Sequence, residues 1–146
     1  MKKEVKNISV SVRNRLLNLS NESKRDYNAI LRHYCQECFL YRISISQYRS
    51  SLVLKGAFLL MTKDISKFRP TKDIDFLGIS LSSKIEECTE IVKEIASINV
   101  DDGVEFIMAN ITSKKIKEDS DIEGVRVHIP YKMDTIKGYF SIDIGF

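Results

Sequence analysis

Apolar residues recur at helical spacing near the start of the chain, at Val12, Leu16 and Leu19, which predicts a helix over residues 9–19. Asn21 to Ser23 interrupt it, and Ser23 with Asp26 forms a capping-box-like start for a second helix. Its apolar stripe is Tyr27, Ile30, Leu31, Tyr34, Cys38 and Tyr41. Arg25, Arg32, Gln36 and Arg42 fall off that stripe and are expected to face solvent or a partner. Residues 51–54 then read as a short strand, 57–61 as a short apolar helix opened by Lys55 and Gly56, 63–72 as a polar loop, and 73–77 as a strand closed by Gly78. A further amphipathic helix is expected from Ser82 and Ser83, with Glu86 completing a capping box and Ile85, Cys88, Ile91, Val92, Ile95 and Ile98 on its apolar face.

The last third changes period. Residues 104–111 form an apolar run that reads as a central strand, and 112–123 as a charged excursion. Val125, Val127, Ile129 and Tyr131 then alternate with Arg126, His128 and Pro130, the period of a strand with one buried face. Residues 134–138 read as a turn. Beyond it Phe140, Ile142, Ile144 and Phe146 alternate with Tyr139, Ser141, Asp143 and Gly145. Helices leading into a mixed sheet with a covering helix make an α/β (α+β) fold. No repeat or linker breaks the 146 residues, so 1–146 is expected to be a single domain with 1–48 as its helical lead-in.

A content of 43% hydrophobic and 29% charged residues excludes disordered and low-complexity classes. Apolar runs are far shorter than the roughly 20 residues of a membrane span, and no apolar run follows Lys2 and Lys3 as in a secretory signal. With three cysteines, reduced thiols in the cytoplasm are the expectation. Charge is unevenly divided: residues 1–72 carry 15 Lys/Arg and 5 Asp/Glu, and residues 73–146 carry 8 and 15. That split fits a basic surface for a polyanion, or helix faces that differ only in how they are solvated.

Candidate chemistry concentrates in Arg69-Pro-Thr-Lys-Asp-Ile-Asp-Phe76. Asp73 and Asp75 stand at i and i+2 on a predicted strand, so both carboxylates share a face while Ile74 and Phe76 share the other. A divalent cation would relieve their repulsion, and hard oxygen donors suit Mg²⁺, which combines few protein carboxylates with substrate phosphates. Gly56, between a strand and a helix, lets the backbone approach a phosphate. Asp143 sits between two isoleucines on a later strand and could join the pair if the strands are neighbours. In that case the three carboxylates converge on one solvent-open face.

Val53-Leu-Lys-Gly-Ala57, Arg69-Pro-Thr-Lys-Asp-Ile-Asp-Phe-Leu-Gly78, Gly124-Val-Arg-Val127 and Ile142-Asp-Ile-Gly-Phe146 together resemble the AbiEii/AbiGii toxin nucleotidyltransferases, and Phe39-Leu-Tyr-Arg-Ile43 is similar to that family's N-terminal lead-in. The resemblance implies a DNA polymerase β-like nucleotidyltransferase fold, with Asp73, Asp75 and Asp143 as catalytic residues and ligands of a two-Mg²⁺ site. It implies nucleotide binding by Lys55, Gly56, Ala57, Arg69, Thr71 and Lys72, with Lys55, Arg69 and Lys72 offsetting the charge of pyrophosphate. The implied activity is transfer of a nucleotide from an NTP to an acceptor hydroxyl, such as that of a tRNA, by the toxin of a toxin–antitoxin or phage-defence pair. A cognate antitoxin is the implied protein partner. Ala57 and Phe58 stand where related enzymes often carry Ser or a second Gly. The resemblance also implies that the chain corresponds to the N-terminal portion of such a toxin. Ending at Phe146 is then expected to expose Ile142, Ile144 and Phe146 as an apolar patch and to favour self-association.

The alternatives are a non-catalytic remnant of that family that binds antitoxin or nucleic acid, and an RNA-binding module without metal. Cys35-Gln-Glu-Cys38 lies within a predicted helix among apolar neighbours and reads as packing rather than a redox or zinc motif. His33 and His128 have no recognisable Ser/Asp partners for a hydrolytic triad. Lys114 to Lys117 reads as a solvated loop.

Overall fold

The computed structural model of the protein describes residues 7–56, 71–118 and 122–146. Helix α1 (Ile8–Ser23) starts on Asn7, whose side chain accepts from the Val10 amide, and stops where Lys24 turns left-handed at φ +57°. Helix α2 (Tyr27–Ser44) is capped by Asp26, which accepts from the Ala29 amide at 2.9 Å. Ser23 takes no part in that cap, because its hydroxyl donates to the Leu19 carbonyl inside α1. Strands β1 (Leu52–Lys55) and β2 (Asp73–Gly78) precede helix α3 (Ile85–Ala96). After α3 come β3 (Glu105–Phe106), a single 3₁₀ turn (Met108–Asn110), β4 (Thr112–Glu118), β5 (Ile122–Met133) and β6 (Ile136–Gly145). Residues 57–61 and 63–70, expected as helix and loop, lie outside the described residues.

The six strands form one mixed sheet in the order β1-β2-β6-β5-β3, with β4 on the remaining length of β5. Among the described residues only β2 and β6 pair in parallel, and the other pairs are antiparallel. Alternation gives the sheet one apolar face. Ile74, Phe76, Val125, Val127, Ile129, Phe140, Ile142 and Ile144 are all buried there, in one cluster with Leu31, Cys35, Phe39 and Ile43 of α2 and Cys88, Val92 and Ile95 of α3. Phe39, Phe106 and Phe140 meet edge to face, with centroids 5.7, 5.9 and 6.2 Å apart.

Several expectations are corrected. The run at 104–111 is not a central strand: β3 spans two residues, pairs among the described residues only with β5, and gives way to the 3₁₀ turn. Val104 and Phe106 are buried but Glu105 between them is exposed, so only one face is covered. Within the excursion at 112–123, residues 112–118 are instead strand β4, paired antiparallel with β5, which begins at Ile122. The α3 capping box does not form, and the helix begins at Ile85 with no side-chain cap. In α2, Gln36 and Arg42 are buried and Tyr41 is exposed, the reverse of the stripe. Arg42 donates to both carboxylate oxygens of Asp102 and to the Ile98 and Cys38 carbonyls, and its guanidinium lies over the Phe106 ring. Such compensation is what allows a charge into a core. Ile142 and Ile144 are fully buried, and Phe146 packs partly buried against the core beside Gly78, so the anticipated apolar patch is absent from these residues.

Candidate active site

Polar chemistry collects on the sheet face opposite the helices. β2 and β6 are in register with Asp75 beside Asp143 and Asp73 beside Ser141. β1 sets Lys55 opposite Asp75, β5 sets Arg126 opposite Asp143, and β4 sets Lys114 opposite Arg126. Lys55, Asp75, Asp143, Arg126 and Lys114 therefore form one row across five strands. The next row is Asp73, Ser141, His128 and Thr112. Registered neighbours in a sheet point to the same face, so parity alone brings these side chains together.

Asp143 is not open to solvent. Its residue is 6% exposed, and Arg126 grips it with two parallel bonds, Nε to Oδ1 at 2.7 Å and Nη2 to Oδ2 at 2.8 Å. The guanidinium pKa is raised above its ordinary value, chiefly by the hydrogen bond to Asp143; burial opposes this, and the charges of Asp143, Asp73 and Asp75 add to it. All three carboxylates thus act on one arginine.

The loop before β2 is braced from below. The buried Gln36 side chain donates to the Thr71 carbonyl at 2.9 Å, and the Ser141 amide donates to the Lys72 carbonyl at 3.0 Å. Thr71 Oγ1 donates to the Asp73 carbonyl and accepts from the Asp73 amide, so its hydroxyl fixes the start of the strand. Lys72 is exposed and lines a groove of about 230 Å3 with Arg32 and Lys137. Gly56 has φ +76°, and a Cβ there would collide with the Asp75 carboxylate. Glycine is required at this position both for its backbone angle and for close approach to the acidic pair. Ala57 and Arg69 lie outside the described residues.

Asp73 and Asp75 offer two hard carboxylates on one strand face, a donor set that suits Mg²⁺. Asp143 does not complete a three-carboxylate cluster as it stands. Both its oxygens accept from Arg126, and among the described residues no three His, Cys, Asp or Glu side chains are gathered to hold a metal ion.

A protein-family model described as nucleotidyl transferase AbiEii toxin, type IV TA system, matches residues 38–146. The chain belongs to the AbiEii family. It is therefore a member of a nucleotidyltransferase toxin family of type IV toxin–antitoxin systems, and its mixed sheet with leading helices is consistent with a nucleotidyltransferase-like fold. Searches of the curated proteins and of the solved structures find no match. Among the described residues no helix is long and apolar enough to cross a membrane.

Within this AbiEii-family chain, sequence reasoning left Arg126 without a role although it lies in Gly124-Val-Arg-Val127. The available signal was the hairpin. β5 and β6 join through the two residues Asp134 and Thr135, and counting back equally from that turn pairs Arg126 with Asp143 and His128 with Ser141. A turn drawn over 134–138 hides that register. Lys114 is likewise a strand residue in the polar row rather than part of a solvated loop. Cys35 and Cys38 are buried free thiols, as a packing role requires, and burial chiefly pushes Cys38 up to about 12.

Proposed function

We propose that this AbiEii-family protein is a cytoplasmic, Mg²⁺-dependent nucleotidyltransferase that moves a nucleotide from an NTP to an acceptor hydroxyl, as a toxin countered by a cognate antitoxin in phage defence. The acceptor in this reading is RNA, with a tRNA end as the leading case. The observation that carries it is the row in which Asp75 and Asp143 are adjacent, with Asp73 one row away on the same face. Asp73 and Asp75 would hold the metal, which when bound neutralises triphosphate charge and polarises the α-phosphorus. Lys55, Lys72 and Arg69 offset charge on the departing pyrophosphate. The acceptor oxygen bonds to the α-phosphorus, the bond to pyrophosphate breaks, and the hydroxyl proton passes to the Asp143 carboxylate. Arg126, bonded to both Asp143 oxygens, holds that carboxylate in position.

Labelled NTP, bulk tRNA and Mg²⁺, with an EDTA control, test the reading. Asp75→Asn should lower transfer by on the order of a hundredfold or more and abolish the rise in melting temperature given by Mg·NTP. The metal-free protein should still fold with only a small change in stability, because Asn keeps the shape of the side chain and Asp75 stands in a row of mixed charge. Transfer that persists in Asp75→Asn, or a sharp fall in metal-free melting temperature, would count against the assignment. One observation favours a second reading, a non-catalytic member that binds nucleic acid or antitoxin: both Asp143 oxygens are engaged by Arg126. Wild-type protein that binds RNA but shows no metal-dependent transfer would select it.

A further inference from the structure

Beyond Asp143 the polar face continues into a groove of about 540 Å3. Arg126 and Lys114 are registered neighbours on β5 and β4 and supply two adjacent cations along it. His128 and Tyr139 close its other side, with ring centroids 4.6 Å apart. Tyr139 is 54% exposed as a residue, although it stands on a strand whose apolar residues otherwise turn inward. Ser141 lies between that ring pair and the carboxylates, in register with Asp73.

We propose that the groove bordered by Lys114, Arg126, His128, Tyr139 and Ser141 is an acceptor-strand subsite, binding the end of a single-stranded polynucleotide with phosphate on Lys114 and Arg126 and a base stacked on Tyr139. Paired cations beside an exposed aromatic ring are the chemistry of single-strand recognition: the cations follow the backbone and the ring takes a base face that a duplex keeps hidden. The position within the row assigns the groove to the acceptor rather than to the NTP. Gly56 and Lys55 stand at the β1 end, three strand spacings, or roughly 14 Å, from β5. The carboxylates lie between, so a triphosphate near Gly56 leaves the β5–β4 side for the attacking strand. The assignment to an acceptor rests on the nucleotidyltransferase reading; the binding site does not.

The test is fluorescence anisotropy of a labelled eight-nucleotide single-stranded RNA with the full chain in EDTA, without NTP. Tyr139→Ala should weaken binding about tenfold, while Tyr139→Phe, which keeps the ring, should bind like wild type. Lys114→Ala should weaken binding and lower the salt slope by about 0.7. A duplex of the same sequence should bind more weakly than the single strand. Unchanged affinity in Tyr139→Ala, or equal binding of duplex and single strand, overturns the subsite. Asp75→Asn separates the two readings, since loss of a negative charge should leave RNA affinity equal or higher. If the oligonucleotide binds as expected and no metal-dependent transfer occurs, the groove stands as a binding site and the catalytic reading fails. If transfer occurs but Tyr139→Ala binds RNA normally, the groove fails and the catalytic reading stands.

Discussion

Arg126 does two things at once: it makes a buried carboxylate tolerable, and it occupies the oxygens that a third metal ligand would use. Its side chain is 35% exposed and that of Asp143 only 9%, so removal of the arginine strands a charge that water reaches poorly. Arg126→Met should therefore cost about 1–3 kcal/mol, the range for a buried polar group left without its partner. Removing both ends, as Arg126→Met with Asp143→Leu, should recover most of that loss, because desolvation of the pair offsets much of its attraction. Urea unfolding of the two single variants and the double variant gives the coupling directly. Additive losses would mean that the two hydrogen bonds of this pair contribute nothing to the folded state in solution. At this scale the acidic side of the site was legible: the i, i+2 spacing of Asp73 and Asp75 and the isoleucines flanking Asp143 determine their common face. The arginine was not, because its partner lies 17 residues away across a hairpin whose register depends on the two-residue turn.

Among the elements, those with a single clean period could be read from the chain. β5 and β6 alternate, and α3 carries one apolar stripe, so burial of one face settles each. β4 was missed because Thr112-Ser-Lys-Lys-Ile-Lys117 has almost no apolar alternation; its ladder with β5 holds it in place instead. α2 was misjudged for a different reason. It is enclosed by α1, α3 and the sheet, so polar side chains that leave the stripe still meet protein, where Arg42 finds Asp102 and Gln36 finds the Thr71 carbonyl. The same enclosure traps Cys35 and Cys38 as thiols and yields a pH prediction. Burial chiefly raises Cys38 from its ordinary 9.0 to about 12 and raises Cys35 well above the same value. Tyr34 and Tyr131 are raised by burial above 10.0. Above pH 9 the unfolded chain therefore loses protons that the folded chain keeps. The folded state then binds more protons, so stability falls as pH rises. The urea midpoint should hold level from pH 7 to about 8.5 and decline steadily from pH 9 towards 12. A midpoint unchanged between pH 8 and 11 would show that these groups titrate as freely in the folded protein as in the unfolded one.

For the molecule as a whole, the sheet divides labour by parity. One face joins α2 and α3 in the core; the other carries the charged row and the groove. Adjacent residues on β6 sample the two faces directly. Phe140 is fully buried and meets Phe39 and Phe106 edge to face, whereas Tyr139, one residue earlier, is 54% exposed beside His128. Phe140→Ala removes a ring from a close-packed cluster and should cost about 3–5 kcal/mol. Tyr139→Ala removes a half-exposed ring from a surface and should change stability by no more than about 1 kcal/mol. Function should divide the other way, with single-strand binding reduced in Tyr139→Ala and retained in Phe140→Ala at temperatures where that variant remains folded. Measuring urea unfolding and RNA affinity on both variants makes a two-by-two comparison within a single strand. Equal destabilisation of the two would mean that the polar face is structural, and that its row of charges is retained for packing rather than for chemistry.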